Sequence, residues 1–163
     1  MALFDAFLKL DGIKGESADA KHKGEIDIFS FRWGIHQTGV SATGGGGGSG
    51  KVSFQDISFV KETDASSPLL MLNCANGAHI KEGSFVVRKA GGTQLEYLKI
   101  KLTDILISSF KDHGSTSGDP IPMESITLNF SKVEYSYQPQ GADGKAQGGP
   151  VMAGWDVKQN QKV

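Results

Sequence analysis

The chain has 163 residues, enough for one well-buried core and short for two, so a single domain spanning 1–163 is expected. Lys and Arg number 17 and Asp and Glu 18, a formal net charge of -1 that offers no electrostatic footprint for a nucleic-acid backbone or an anionic membrane. One cysteine, Cys74, excludes an internal disulfide, and no apolar run approaches the ~20 residues of a membrane span.

In chain order, Leu3–Leu10 reads as a first strand and Asp11–Gly24, polar and punctuated by glycine, as a surface connection. Glu25–Gln37 is a second strand whose apolar positions run Ile26, Ile28 and then Phe29, Phe31, Trp33, Ile35, changing parity midway. Thr38–Gly50 has no apolar surface to fold around and reads as an exposed, extended loop. Lys51–Val60 is a third strand. Asp64–Gly77 is the one helix: Ser67 can cap it, Pro68 suits its first position, and Gly77 suits a left-handed terminus, giving a helix over about Pro68–Ala75. Ser84–Ala90 and Leu95–Phe110 form a hairpin across Gly91 and Gly92, Asp112–Met123 is a polar loop, and Ile126–Tyr137 and Val151–Val157 are the last strands. Gln138–Pro150 connects those two.

The parity change recurs. Val52, Phe54 give way to Ile57, Phe59; Leu98, Ile100, Leu102 to Ile105, Ile107; Ile126, Leu128, Phe130 to Val133, Tyr135, Tyr137. Side chains alternate faces with a period of two, so each switch requires a bulge or a strand serving two apolar faces in succession. Curved or shared strands follow, and with them a mainly β fold, either a Greek-key-like barrel or a two-sheet sandwich, with one helical insertion.

Candidate chemistry is sparse. Gly45–Val52, GGGGSGKV, approaches the phosphate-cradling pattern, but Val52 replaces the magnesium-binding hydroxyl and the sequence after it alternates as a strand where the motif needs a helix. His22, His36, His79 and His113 have no paired spacing and read as surface or loop residues, with no metal site implied. Cys74 lies among Leu69, Leu70, Met71 and Leu72, where a thiol behaves as a small hydrophobe. Glu16, Glu25, Asp27, Asp56, Asp64, Asp104 and Glu134 are scattered, the pattern of solvation or ion pairing. Phe29, Phe31, Trp33, Tyr135, Tyr137 and Trp155 read as core packing more than as a sugar-stacking platform. No catalytic residue and no cofactor is expected, and the chain does not read as an enzyme.

Long, ordered and individually unusual segments carry a resemblance: Asp11–Ser17 DGIKGES, Trp33-Gly34, Gly44–Phe59 GGGGGSGKVSFQDISF, Arg88–Gly92 RKAGG, Leu95–Ser109 LEYLKIKLTDILISS, Ile126–Phe130 ITLNF, Tyr137–Gly149 YQPQGADGKAQGG and the tail GWDVKQN. Over its whole length the chain resembles the Hcp family, the haemolysin-coregulated proteins of type VI secretion. The resemblance implies a small β-barrel of two curved antiparallel sheets with one lateral helix. It further implies a homo-hexameric ring that stacks into a tube within a contractile sheath, capped by a spike protein. Such a tube is exported with small effector proteins in its lumen, for which the ring acts as receptor and chaperone.

Several expectations follow from joining that resemblance to the residues. Met1–Ser17 has acidic Asp5 where a signal peptide wants a basic region, so a cytoplasmic protein secreted without a cleaved signal peptide is expected. If Phe29, Phe31, Trp33 and Ile35 face the core, Ser30, Arg32, Gly34 and His36 face the opposite side, and the resemblance places that side on the lumen, with Ser30, Arg32 and His36 as cargo-facing residues. The loop containing Thr38, Gly39, Val40, Ser41, Gly44, Gly45, Gly46, Gly47, Gly48, Ser49 and Gly50 is expected to contact neighbouring subunits or stacked rings. The rival reading is a monomeric β-sandwich that binds carbohydrate or protein without assembling.

Overall fold

The computed structural model describes residues 2–38 and 52–163. Eleven strands and one helix follow in order: β1 (Phe4–Leu10), β2 (Ile26–Asp27), β3 (Ser30–Arg32), β4 (Ile35–Gln37), β5 (Val52–Phe54), β6 (Ile57–Glu62), α1 (Ser67–Asn76), β7 (His79–Lys89), β8 (Glu96–His113), β9 (Met123–Tyr137), β10 (Val151–Asp156) and β11 (Gln161–Lys162). The larger sheet is antiparallel, in the order β11-β10-β9-β8-β7-β1-β2, with β6 joining β9 to β3; β4 and β5 form a second, two-stranded sheet. The fold is mainly β with one lateral helix, as expected. The barrel, however, is not closed by continuous pairing. β2 pairs only with β1 and β3 only with β6, and between them the chain changes partner through single backbone bonds, Ile28 N–H to Ala6 O (2.9 Å) and Phe29 N–H to Val60 O (2.8 Å).

The predicted second strand is thus three segments, and two of its predicted core residues are not in the core: Phe29 is 74% exposed and Ile35 58%. Ile28 points in and Phe29 out by plain alternation, and the change of partner turns the chain between Phe29 and Ser30, both exposed, so that Phe31 points in again. Only Phe31 and Trp33 of that set pack against the core. The last strand, β11, has no apolar pattern and was not predicted.

The parity switches in the three longest strands fall at one level. Inward residues run Phe85, Val87 against Ile80 on β7, Leu98, Ile100, Leu102 against Ile105, Ile107 on β8, and Val133 against Phe130, Leu128, Ile126 on β9. The β8–β9 register continues unshifted through this level, from Leu98↔Tyr137 to Ile107↔Leu128. Asp104 performs the turn-over on β8 with a left-handed φ of 55°. That conformation disfavours most L residues, and Asp tolerates it better than most. Its carboxylate is fixed there by His79 Nδ1 (2.6 Å), Ser131 Oγ (2.6 Å) and Lys158 Nζ (2.6 Å), which hold its pKa well below the usual carboxylate range, the Lys158 bond contributing most. A bulge at Ser108, where the register shifts between Ile107 and Ser109, completes the second switch on this strand.

The core joins both levels through Leu8, Ile26, Ile57, Phe59, Phe85 and Ile126, all fully buried. Each such side chain contributes about 1.5–3 kcal/mol by leaving water. α1 adds Leu70, buried under the sheet, and half-buried Cys74, consistent with its reading as a small hydrophobe. The helix keeps its predicted Gly77 terminus at φ 64°, but its N-cap is Ser66, with no side-chain capping bond. Ser67 instead accepts a bond from Asp64 N–H (3.0 Å) and belongs to the first turn.

Candidate assembly and cargo surfaces

Strand alternation builds the first surface. On β3, Phe31 turns inward onto Phe85 (ring centroids 4.8 Å apart), so Ser30 and Arg32 turn outward, and both are exposed. The register extends this face across the sheet as Ser30↔Val60↔Ser125 and Arg32↔Ser58↔Thr127. Beyond Thr127 the polarity continues: Ser108 Oγ lies 2.7 Å from Thr127 Oγ1, and Asp56 accepts from Ser108 and from Asn129 Nδ2 (2.9 Å). The result is a hydroxyl-rich outer face beside one guanidinium. The structure brings Ser30 and Arg32 together there. It does not bring His36 with them: His36 is exposed but sits opposite Ser53 in the separate β4–β5 sheet, past Trp33 and Gly34. Of the predicted contact loop only Thr38 is described, and it is exposed; Gly39, Val40, Ser41, Gly44, Gly45, Gly46, Gly47, Gly48, Ser49 and Gly50 lie outside the described residues.

A second surface arises where β9 changes partner. β6 pairs with it over Met123–Leu128 and β10 over Lys132–Tyr137, so the β4–β5 hairpin leaves the sheet and faces β9 and β10 across an apolar cleft of about 620 Å³. Trp33, Ile35, Phe54, Tyr135 and Trp155 line it. Trp33 anchors the hairpin side, donating Nε1–H to Gln55 O (3.0 Å) and stacking near Phe54 and Tyr135. These aromatics alternate as core residues do, yet Tyr135 is 41% exposed because the layer that would cover it has bent away. Next to the cleft, Val151 and Met152 on β10 are 66% and 68% exposed. On another side, Leu3 and Phe29 flank an apolar hollow beside Phe4 and Ala6. Grouped apolar side chains left in water mark surfaces that meet another molecule.

Sequence reasoning missed the network that fixes the connection after β1. His22 is not a surface residue: it is 6% exposed, stacked on Phe7 at 4.2 Å, with Nδ1 2.8 Å from Glu25 Oε2 and Nε2 2.7 Å from Glu96 Oε1. Gly15 lets the loop return this closely, since a Cβ there would lie 2.4 Å from Glu25 O. Arg88, buried, holds its guanidinium carbon 4.9 Å from the Phe7 ring centroid and binds Asp5 and Asp19. The Arg88 hydrogen bond holds the Asp19 carboxyl down to about 2. No spacing rule announces this group, because its partners come from β1, β7 and β8 and meet only in the fold. Signals such as RKAGG marked Arg88 as unusual without saying what it pairs with.

His79 and Ser131 both bind Asp104 rather than each other, so the imidazole does not reach the Ser131 hydroxyl. Val52 opens strand β5, and the helix N-terminus that a phosphate loop needs is not at that place. Among the described residues no three ligating side chains converge on a metal position. No helix among them is long and apolar enough to cross a membrane.

Comparison with known proteins agrees with this geometry. The family described as "Type VI secretion system effector, Hcp" matches residues 7–137. The chain is 48% identical over 157 residues to Protein hcp1 of Pseudomonas aeruginosa, covering 96% of each chain. Among solved structures it is similar to Hcp1 from Salmonella typhimurium, with a TM-score of 0.83 and 39% identity, covering 99% of this chain and 100% of that one. It is also similar to a type six secretion system protein with a TM-score of 0.92 and 30% identity, covering 98% and 99%.

Proposed function

The chain belongs to the Hcp family of the type VI secretion system, and from that premise we propose that it is the tube subunit: a single domain that forms six-membered rings, stacks them, and is exported with them. The observation that carries this reading is the set of large apolar side chains left in water on separate faces, Leu3 and Phe29 on one and Val151 and Met152 on another. A chain that buries its core this fully gains nothing by exposing them unless copies cover them. In a closed ring two different faces meet repeatedly, which also protects the outer edge of β10.

In this reading the outer face of β3, β6 and β9 lines the lumen, Arg32 repeats around it as a ring of cations, and small effector proteins are held there by many modest contacts. Ser30 flanks it, the loop Thr38–Gly50 bridges subunits or rings, and a sheath and spike surround and cap the tube. Export in this reading takes the chain out as part of the tube itself. Electron microscopy of the purified full-length protein tests the proposal. End-on rings with a central hole are expected; a single species near 17.3 kDa on sizing, with no rings, would instead favour the monomeric binding module.

A further inference from the structure

One charged row, buried at Lys61 and Glu124 and exposed at Asp112, is left unexplained by assembly or cargo. Lys61 on β6, Glu124 on β9 and Asp112 on β8 stand directly opposite one another, on the inward face at the end of the sheet that α1 covers. Lys61 is fully buried, and its three ammonium protons have three acceptors: Glu124 Oε2 (2.7 Å), Asp64 Oδ1 (2.9 Å) and Ser67 Oγ (3.2 Å). Two of these, Asp64 and Ser67, belong to the turn that starts α1 and to its first residue. The ammonium is saturated and cannot serve the second oxygen of Glu124. That oxygen, Oε1, is buried without a hydrogen-bond partner, on a side chain 1% exposed. An acceptor so placed costs about 1–3 kcal/mol unless a donor reaches it.

We propose that Glu124 Oε1 shares a proton with the carboxyl of Asp112, and that this proton is a latch holding the first turn of α1 to the sheet. Asp112 is the cross-strand neighbour of Glu124 and lies at the rim, where solvent can deliver or remove the proton. With it in place, the row reads ammonium, carboxylate, carboxylic acid, and every buried polar atom is satisfied. Once the proton leaves, Asp64, Glu124 and Asp112 face a single ammonium, and Glu124 is repelled by its neighbour across the ladder. The other charged groups here, Glu62 on β6 and Lys111 and His113 on β8, alternate to the exposed face and do not fill the gap. Desolvation by its neighbours and the charge of Glu124 favour the protonated form of Asp112, with Lys61 opposing them.

The sign follows. A carboxyl whose proton is held more tightly in the fold adds stability as pH falls through its folded titration, and loses it as pH rises. Hydrogen exchange of the α1 amides in the full-length protein reads this out. Protection over Leu70–Asn76 should rise as pH falls, by up to about tenfold per pH unit, the limit for one linked proton, while β1 amides stay level. Asp112→Asn, whose amide donates to Glu124 permanently, should show acid-level protection with no such slope. If Asp112→Asn keeps the wild-type slope, the latch is excluded. Carbon-13 titration of wild-type carboxyls gives a second decision that needs no variant: an Asp112 that titrates in the ordinary carboxylate range also excludes it.

Discussion

The same three strands, β6, β9 and β8, are finished differently at their two ends. At the α1 end the sheet is sealed from within, by Phe59, Ile126 and Leu70 and by a fully buried Lys61 whose partners all come from the same chain. At the other end β9 gives up β6 for β10, the β4–β5 hairpin bends away, and aromatics of core character stand half in water around an open cleft. The first end is closed around Lys61, although Leu69, Met71 and Leu72 on the outer side of α1 stay in water. The second end leaves open an apolar cleft lined by aromatics that this chain does not cover by itself.

The largest effects should come from breaking the sealed end. Glu124→Ala leaves Lys61 buried against only Asp64 and Ser67 and should cost about 3–5 kcal/mol in denaturant unfolding, the scale for orphaning one member of a buried ion pair. Phe59→Ala should cost a similar amount, about 3–5 kcal/mol, by opening a cavity against Phe85. At the open end, Ile35→Ser should change monomer stability by less than about 1 kcal/mol, since Ile35 is already largely exposed, yet abolish rings in electron micrographs. Rings that survive this change would show that the cleft is not a contact surface.

A smaller, pH-dependent effect tests the Arg88 network. Asp19 titrates lower in the fold than its ordinary value, so its contribution is present above that value and is lost as pH falls from the usual carboxylate range toward about 2. Asp19→Asn should flatten that part of the acid-stability curve relative to wild type. Least disturbing of all, Arg32→Glu should leave unfolding unchanged within about 0.5 kcal/mol and preserve rings, while altering which acidic proteins co-purify. Unchanged cargo would remove Arg32 from the lumen, and lost rings would make it an interface residue.

Much of the fold was legible along the chain. Period-two alternation located β1, β6, β8, β9 and β10, Gly77 marked the end of α1, and the parity switches announced strands that change face. What lay beyond reach were the consequences of those switches. Alternation says that Phe29 or Ile35 belongs to an apolar face, but whether anything covers that face depends on where a neighbouring strand leaves the sheet. The candidate cargo face was half legible for the same reason: Ser30 and Arg32 follow from alternation about Phe31, whereas His36 was separated from them by a break at Trp33 and Gly34 that no periodicity records.

The sequence by itself determined a mainly β chain with one short helix, near-neutral charge, no recognisable catalytic spacing and a family resemblance spread over its length, because composition, alternation and local turn chemistry are properties of neighbours in sequence. Tertiary structure alone decided that the barrel stays open in its pairing, that His22 is buried between two carboxylates, and that Lys61, Glu124 and Asp112 form one row. Those outcomes depend on residues up to 74 positions apart, as with His22 and Glu96, meeting in a shared low-dielectric site. There desolvation and ion pairing act through space, and separation along the chain no longer limits which groups interact.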